Sequence, residues 1–288
     1  MEKLLRVLVH IQANLDEDMS LDAVAKRVRL SPFHFHRLFR SAIGETLKQY
    51  TQRLRLERAA NRLVIHDTSI LDVALDSGFQ NHETFSRSFQ RRFQVTPRAY
   101  REWARGKLAQ NSASTLPLDE MYRDFELSET KVTRMAQLHV AFIRHVGPYE
   151  DVPDTLWHRL AEWARAARLP IDLIFLGIAH DAPGVTPLDK LRFDAAIVVP
   201  EAFAPSGSIA RSIGHQVLPP AEFAVTTHIG HYRTLPKAYG TIVNRVGRLK
   251  GYSFGGLPAI EVYRTTRVDA NHEMNHTEIY LPVIRKEN

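Results

Sequence analysis

Apolar and polar positions follow helical spacing through the first third of the chain and a mixed rhythm after it. Leu4, Leu5, Leu8 and Ile11 recur at three- and four-residue intervals, the pattern of one buried helix face. Leu21, Val24, Ala25 and Val28 make a second such stripe, with Asp18 or Ser20 placed to cap it. The small Ala25 lets another helix cross closely. Ser31-Pro32 opens a third helix, whose inner face is predicted to carry Phe35, Leu38 and Phe39 and whose stop is Gly44. Residues 46–65 form a longer amphipathic helix through Leu47, Tyr50, Leu54 and Leu63. Ser69-Ile70-Leu71-Asp72-Val73-Ala74 then begins a fifth helix, Gly78-Phe79 gives a tight turn that needs positive φ, and the next helix turns Phe85 and Phe89 inward. Thr96-Pro97 starts a last short helix with Tyr100 and Trp103.

This pattern is a repeat. Phe35-His36-Arg37-Leu38-Phe39 returns 50 residues later as Phe85-Ser86-Arg87-Ser88-Phe89, each copy behind a short apolar helix with a small residue at its centre. One helix-turn-helix is written twice. Two such units in one chain can read successive major-groove faces, roughly 34 Å apart, without dimerising. The twenty residues of helix 46–65 rise roughly 30 Å, a spacer of the right length.

Beyond residue 107 the rhythm changes. Residues 106–117 lack an apolar period and read as a joint. Residues 132–146 are rich in β-formers; Leu156, Leu160, Trp163 and Ala167 mark an amphipathic helix; further strands fit 173–179, 192–199, 259–264 and 277–283. His145-Val146-Gly147-Pro148-Tyr149 is echoed 83 residues later by His228-Ile229-Gly230-His231-Tyr232, again ahead of a helix at about 235–249. Each half is strand, turn, helix, and two such halves pair about a pseudo-twofold with a groove between them. The expected fold is therefore multidomain. Residues 1–107 form an all-α domain with two helix-turn-helix units joined by a linker helix, 108–125 a linker, and 126–288 an α+β domain of two related halves.

Charge sharpens this picture. Residues 1–107 hold 19 Lys and Arg against 12 Asp and Glu; the remainder holds 19 against 20. A basic first third beside a nearly neutral rest points to an anionic partner for that third alone. The absence of cysteine excludes disulfides, thiolate metal sites and iron–sulfur clusters. No apolar run approaches the roughly 20 residues that span a bilayer. The stretch at residues 3–11 is interrupted by Arg6 and has no cleavage pattern, so no signal peptide or membrane partner is expected and the chain is placed in the cytoplasm.

Asp72-Val73-Ala74, Gly78-Phe79, Phe85-Ser86-Arg87-Ser88-Phe89, Thr96-Pro97 and Tyr100-Arg101 together resemble the signature of the AraC/XylS family of bacterial transcription regulators. The chain departs from the family pattern at Gln94, where a glycine is usual, and at Glu83, where Ser or Gln is usual. The resemblance implies that outward positions of the reading helices meet DNA: Phe33, His36, Arg37 and Arg40 in the first, Glu83, Thr84, Ser86, Arg87 and Arg91 in the second. A guanidinium can donate twice to guanine, which suits Arg37 and Arg87; Arg40 and Arg91 suit phosphate; a carboxylate at Glu83 repels phosphate but can accept from cytosine N4.

The second half is similar to the GyrI-like ligand-binding domain through Arg144-His145-Val146-Gly147-Pro148-Tyr149-Glu150, Leu191-Arg192-Phe193-Asp194, Pro258-Ala259-Ile260-Glu261-Val262-Tyr263 and Ile279-Tyr280-Leu281-Pro282-Val283. The domain order resembles the Rob-type branch of the AraC family. This implies a cleft for a small effector, cationic or amphipathic, with Glu261 as its carboxylate and Tyr149, Trp157, Phe193, Tyr232 and Tyr263 as aromatic walls. The implied function is a DNA-binding transcription regulator, an activator that works with RNA polymerase and is modulated by that effector, with no cofactor. The alternative is a hydrolase of reactive small molecules, using Glu261 with Tyr149 or Tyr232. His34 and His36 face different ways on a helix and lack a third ligand. His272-Glu273-Met274-Asn275-His276 matches the zinc-protease pattern H-E-x-x-H but has no long amphipathic helix to carry it. Neither is expected to bind metal.

Overall fold

The computed structural model describes residues 2–65, 67–113, 125–169, 173–201, 213–264 and 275–286. The chain divides into two compact units, Met1–Lys107 and Leu108–Asn288. Among the described residues no helix is long and apolar enough to cross a membrane.

The first unit is all helix: α1 (Glu2–Ala13), α2 (Leu21–Arg27), α3 (Pro32–Ile43), α4 (Leu47–Ile65), α5 (Ile70–Asp76), α6 (His82–Phe93) and α7 (Pro97–Ala113). Each reading helix and its predecessor starts on a side-chain cap. Ser20 accepts from the Ala23 amide, Ser31 from His34, Ser69 from Asp72 in a reciprocal capping box, and Asn81 from Thr84. The repeat extends into the core. Phe35, Phe39 and Tyr50 stack in sequence (centroids 5.5 Å apart at each step), and Phe85, Phe89 and Tyr100 do the same at 5.4 Å. Ala25 and Ala74 are fully buried at the helix crossings.

Three details differ from the sequence-based expectation. Leu38 is 39% exposed rather than inward, because the buried contact of α3 covers only the line through Phe35 and Phe39, one turn apart. Helix α7 is not short. It runs 17 residues to Ala113, since Lys107, Leu108, Ala109 and Gln110 are good helix formers even without an amphipathic period. The turn at Gln94 keeps the shape of the first copy's turn without its glycine. Gly44 ends α3 at φ 77°, and Gln94 ends α6 at φ 60°, its amide bonded to the Gln90 carbonyl and its side chain to that of Arg91 at 2.9 Å.

The two helix-turn-helix units are also locked to each other. Arg55 of α4 donates to the carbonyls of Leu15 (2.8 Å) and Glu17 (3.2 Å), in the loop entering the first unit. Gly78, in the turn of the second unit, lies against the same pair: a Cβ there would meet Leu15 O at 2.6 Å and Arg55 Nε at 2.7 Å. Arg53 adds a buried fork to Glu45 (3.0 and 3.1 Å) and an ion pair to Glu57 (3.3 Å).

Among its described residues the second unit is one antiparallel sheet of ten strands with two α-helices on one face. The strands are β1 (Phe125–Leu127), β2 (Lys131–Met135), β3 (Leu138–Val146), β4 (Phe175–Ala179), β5 (Arg192–Val199), β6 (Gly214–Leu218), β7 (Ala221–Gly230), β8 (Tyr252–Phe254), β9 (Ala259–Tyr263) and β10 (Asn275–Arg285). The helices are α8 (Thr155–Ala166) and α9 (Leu235–Gly247). The order is β1-β7-β10-β9-β4-β5-β3-β6, with β2 beside β7 and β8 beside β10. Register confirms two like halves. His145 pairs with Phe193 as His228 pairs with Thr277, and Gly177 pairs with Ala195 as Glu261 pairs with Ile279. The halves join through β4 and β9, where Gly177 stands directly opposite Glu261. They also trade edges: β2, which leads into β3, pairs with β7, while β6, which leads into β7, pairs with β3. The core lies between sheet and helices, where Trp157, Leu160 and Trp163 of α8 and Ala238, Ile242 and Val246 of α9 meet Ala195, Ile197, Ile279 and Leu281.

A left-handed residue with a side chain costs about 1–2 kcal/mol relative to glycine. Exchanging the two turn residues should therefore move stability in opposite directions. Gln94→Gly is expected to raise, and Gly44→Gln to lower, the unfolding free energy of the first unit by about 1 kcal/mol, measured by urea titration.

Candidate functional sites

In the first unit the outward residues of α3 and α6 form the candidate nucleic-acid interface. Phe33 is 71% exposed, and the Arg37 guanidinium carbon lies 5.2 Å from its ring centroid, so the pair stands preassembled on the surface. Arg40 is exposed beside them, and His36 is half-buried. On α6, Glu83, Thr84, Arg87 and Arg91 are exposed, and Ser86 is half-buried with Oγ 3.4 Å from His82 Nε2. Glu83 and Arg87, one turn apart, approach to 3.9 Å. Each pair of buried phenylalanines thus forces its intervening residues outward, and both arginines stand in solvent. Ser88, also on α6, receives a bond from Gln52 of α4 (3.1 Å), which seats the second reading helix on the connecting helix.

In the second unit the predicted aromatic wall is brought together around Glu261. The carboxylate is buried on the helix-facing side of β9. Tyr263 donates to its Oε2, and Tyr239 of α9 donates to its Oε1 at 3.0 Å. Trp157 packs edge-on to Tyr263 (5.1 Å, 83°) and to Phe193 (6.3 Å, 78°), and Tyr232 edge-on to Tyr263 (5.6 Å, 88°). Tyr149 joins through Phe193 at 5.8 Å. Its hydroxyl donates to the Asp181 carbonyl (2.7 Å) and accepts from the Asp181 amide (3.0 Å), so it serves the wall by its ring alone. Asp181 is held in turn by a fork from Arg192, at 2.8 and 2.5 Å.

Tyr239 was not foreseen. It sits beside the apolar stripe of α9, and the second copy of the motif carries no mark that separates it from an ordinary half-buried tyrosine. Burial, and then the neighbouring Glu261 charge, push its phenol well above the ordinary value. Burial and then the Asp181 carboxylate raise Tyr149 likewise. Tyr239 therefore stays a proton donor, and Glu261 accepts phenolic protons at both oxygens.

Gly177 makes this arrangement possible. A Cβ there would lie 2.5 Å from Phe193 Cζ, 2.5 Å from Tyr263 Oη and 3.2 Å from Glu261 Oε2. On the opposite face of the sheet, fully buried Asp194 takes a fork from Arg144 (2.6 Å twice), His180 at 2.7 Å and Gln216 at 3.0 Å. Burial alone would raise the Asp194 pKa; the charges of Arg144 and His180 outweigh it and hold the group well below the usual carboxylate range. This network pins β3, β5 and β6 and stands apart from Glu261 and its aromatic neighbours.

Among the described residues no group of three or more His, Asp or Glu is arranged for a metal. His272 and Glu273 lie outside the described residues. Asn275 and His276 are in strand β10, so that end of the H-E-x-x-H stretch lacks helical geometry.

Each unit resembles a known domain. Residues 128–284 match the GyrI-like small molecule binding domain, and residues 24–102 match a helix-turn-helix domain. The chain is 35% identical over 101 residues to the transcriptional regulator Rob of Salmonella typhimurium, covering 34% of this chain and 35% of Rob. It thus spans about a third of the length of that relative. It is 36% identical over 95 residues to the regulatory protein SoxS of Escherichia coli K12, covering 33% of this chain and 89% of SoxS. A crystal structure of the DNA-binding domain of AdpA in complex with a target DNA is similar at 28% identity and a TM-score of 0.37, over 38% of this chain and 99% of that one.

Gly177→Ala places a methyl among three packed side chains. It is expected to lower the stability of the second unit by about 1–3 kcal/mol, seen as a lower urea midpoint at unchanged m-value.

Proposed function

This chain belongs to the GyrI-like family through residues 128–284 and to the AraC/XylS family through its helix-turn-helix residues, and we propose that it is a transcription regulator that binds specific DNA sites and answers to a small cationic, amphipathic molecule. The observation that carries the effector half is the buried Glu261. A carboxyl group held by two phenols and walled by Trp157, Phe193, Tyr232 and Tyr263 offers acceptor oxygens and several π-faces in a place shielded from water. A cation with an aromatic or aliphatic body matches both features. Entry of such a molecule would part the phenols from the carboxylate and replace two neutral partners with a charged one.

The DNA half rests on the exposed Arg37 and Arg87, each projected from the second helix of a capped helix-turn-helix. Arg37 with Phe33, and Arg87 with Glu83, are proposed to read base edges, with Thr84, Ser86 and His36 beside them and Arg40 and Arg91 on phosphates. Residues 1–107 are proposed as the DNA-binding domain, 108–125 as the connection and 126–288 as the effector domain. Acting in the cytoplasm as an activator, the protein would hold RNA polymerase beside its site. A sensor fits better than a hydrolase. Both oxygens of Glu261 accept phenolic protons, and the hydroxyl of Tyr149 is spent on Asp181, which leaves no free base beside a free nucleophile.

Sites found by genomic footprinting supply the operator for two measurements. Fluorescence anisotropy should show affinity falling about a thousandfold between 50 and 200 mM salt if some six phosphates are met. Arg87→Ala should weaken operator binding by 1–3 kcal/mol, roughly 5- to 150-fold, while binding to scrambled DNA changes far less. Equal losses on the two DNAs would remove base reading from Arg87. For the cleft, Glu261→Gln should weaken binding of an aromatic quaternary ammonium, followed by calorimetry on the full chain, at least tenfold, or about 1.4 kcal/mol.

A further inference from the structure

The two halves of the second unit are not equal in chemistry. At the positions where the first half carries Leu191 and Phe193, the second half carries Asn275 and Thr277, by the same register against its turn. Thr277 stands directly opposite His228 on one side and Tyr263 on the other, and Asn275 stands opposite Gly230. Alternation along β10 puts both on the helix-facing side, with Ile279, Leu281 and Glu261's neighbours. They are therefore the next row of the same surface that presents Glu261 and Tyr263.

His228, Asn275 and Thr277 are each fully buried. His228 Nδ1, both side-chain polar atoms of Asn275 and Thr277 Oγ have no hydrogen-bond partner among the described residues. The tautomer of His228 follows from its other nitrogen. Thr234 Oγ donates to the His231 carbonyl (2.7 Å), so it accepts the proton of His228 Nε2 (2.7 Å). Nδ1 is then a bare acceptor. Burial, which holds the imidazole pKa down at about 4, keeps it neutral near pH 7. Phe125 flanks the group on the edge side, its centroid 5.3 Å from the His228 ring. The bond to Thr234 also fixes the turn that presents Tyr232 to the cleft.

Buried polar groups of native proteins are paired with few exceptions. The fold itself does not call for polarity at Asn275 and Thr277, since the first half fills those two positions with Leu191 and Phe193; the His228 position is a histidine, His145, in the first half as well. We propose that His228, Asn275 and Thr277 form a subsite of the effector cleft that receives a neutral hydrogen-bonding group, a hydroxyl or amide, borne on the arm of a cation whose charge lies at Glu261. The inference rests on the cleft reading above and deepens it. The second half supplies the charged and polar recognition, and the first half supplies the apolar wall through Trp157 and Phe193. The preferred effector class is thus an aromatic ammonium with a short polar arm rather than a uniformly greasy cation.

A matched pair of cations tests this: benzyl(2-hydroxyethyl)dimethylammonium and benzyl(ethyl)dimethylammonium, titrated calorimetrically into the full chain. The hydroxyl compound is expected to bind about tenfold more tightly. Asn275→Leu with Thr277→Val, which copies the apolar character of the first half, should abolish that preference. Thr277→Ser, which keeps the hydroxyl, should retain the preference. Equal affinity of the two cations for the unaltered chain overturns the subsite and leaves the cleft standing, and so does a preference that survives the double variant. If neither cation binds the unaltered chain, the cleft reading falls and the subsite with it. The unaltered-chain comparison decides the matter even where the double variant does not fold.

Discussion

The second unit is organised around a seam that two like halves cannot share symmetrically. Gly177 and Glu261 are equivalent positions of the repeat, and the β4–β9 ladder sets them face to face. A side chain at residue 177 would run into Phe193 and Tyr263. The chain resolves this with no side chain on one side and a carboxylate on the other, and the space a Cβ would fill is taken by Phe193, Tyr263 and Glu261. Burying a charge is costly unless it is satisfied by hydrogen bonds. Tyr239 from α9 and Tyr263 from β9 provide them. The aromatic wall, the seat of the carboxylate and the packing of α9 on the sheet all depend on that one asymmetric pair.

A comparable constraint shapes the first unit. A duplicated helix-turn-helix is useful on DNA only if its two reading helices are held in register, and a helix of about 28 Å is stiff but does not by itself fix rotation about its own axis. The contact among Leu15, Arg55 and Gly78 supplies that rotational lock, since it joins the loop of the first copy, the connecting helix and the turn of the second. Glycine is needed at residue 78 for its positive φ of 86° and also for the approach of a carbonyl and a guanidinium. The second copy tolerates Gln94 where the first has Gly44, because Gln94 is exposed and a Cβ at the Gly44 position meets no described atom within 4 Å, so the cost is the local backbone strain.

Much of this was legible in the chain itself. Phe35/Phe39 and Phe85/Phe89, spaced one turn apart and repeated, state both helices and their inner faces, and the residues between them are outward by necessity. The echo of His145–Tyr149 in His228–Tyr232 announces two halves, and the resemblance of Pro258–Tyr263 to the GyrI-like domain points to Glu261. Strands β6 and β8 were missed because they are short and take part of their burial from partners distant in sequence. Tyr239 was missed because a tyrosine beside an apolar helical stripe looks the same whether or not a carboxylate awaits its hydroxyl.

The sequence by itself therefore determined most of the elements, their duplication and the outward arginines, because periodicity and capping are local and leave their mark residue by residue. Tertiary structure alone decided which copies meet and how. It set Gly177 against Glu261, brought Tyr239 from another element to the same carboxylate, exchanged the edge strands between halves, and left His228, Asn275 and Thr277 as a buried polar row. Those are consequences of strand register and long-range packing, which depend on residues far apart in the sequence and so are written in no single segment of the chain.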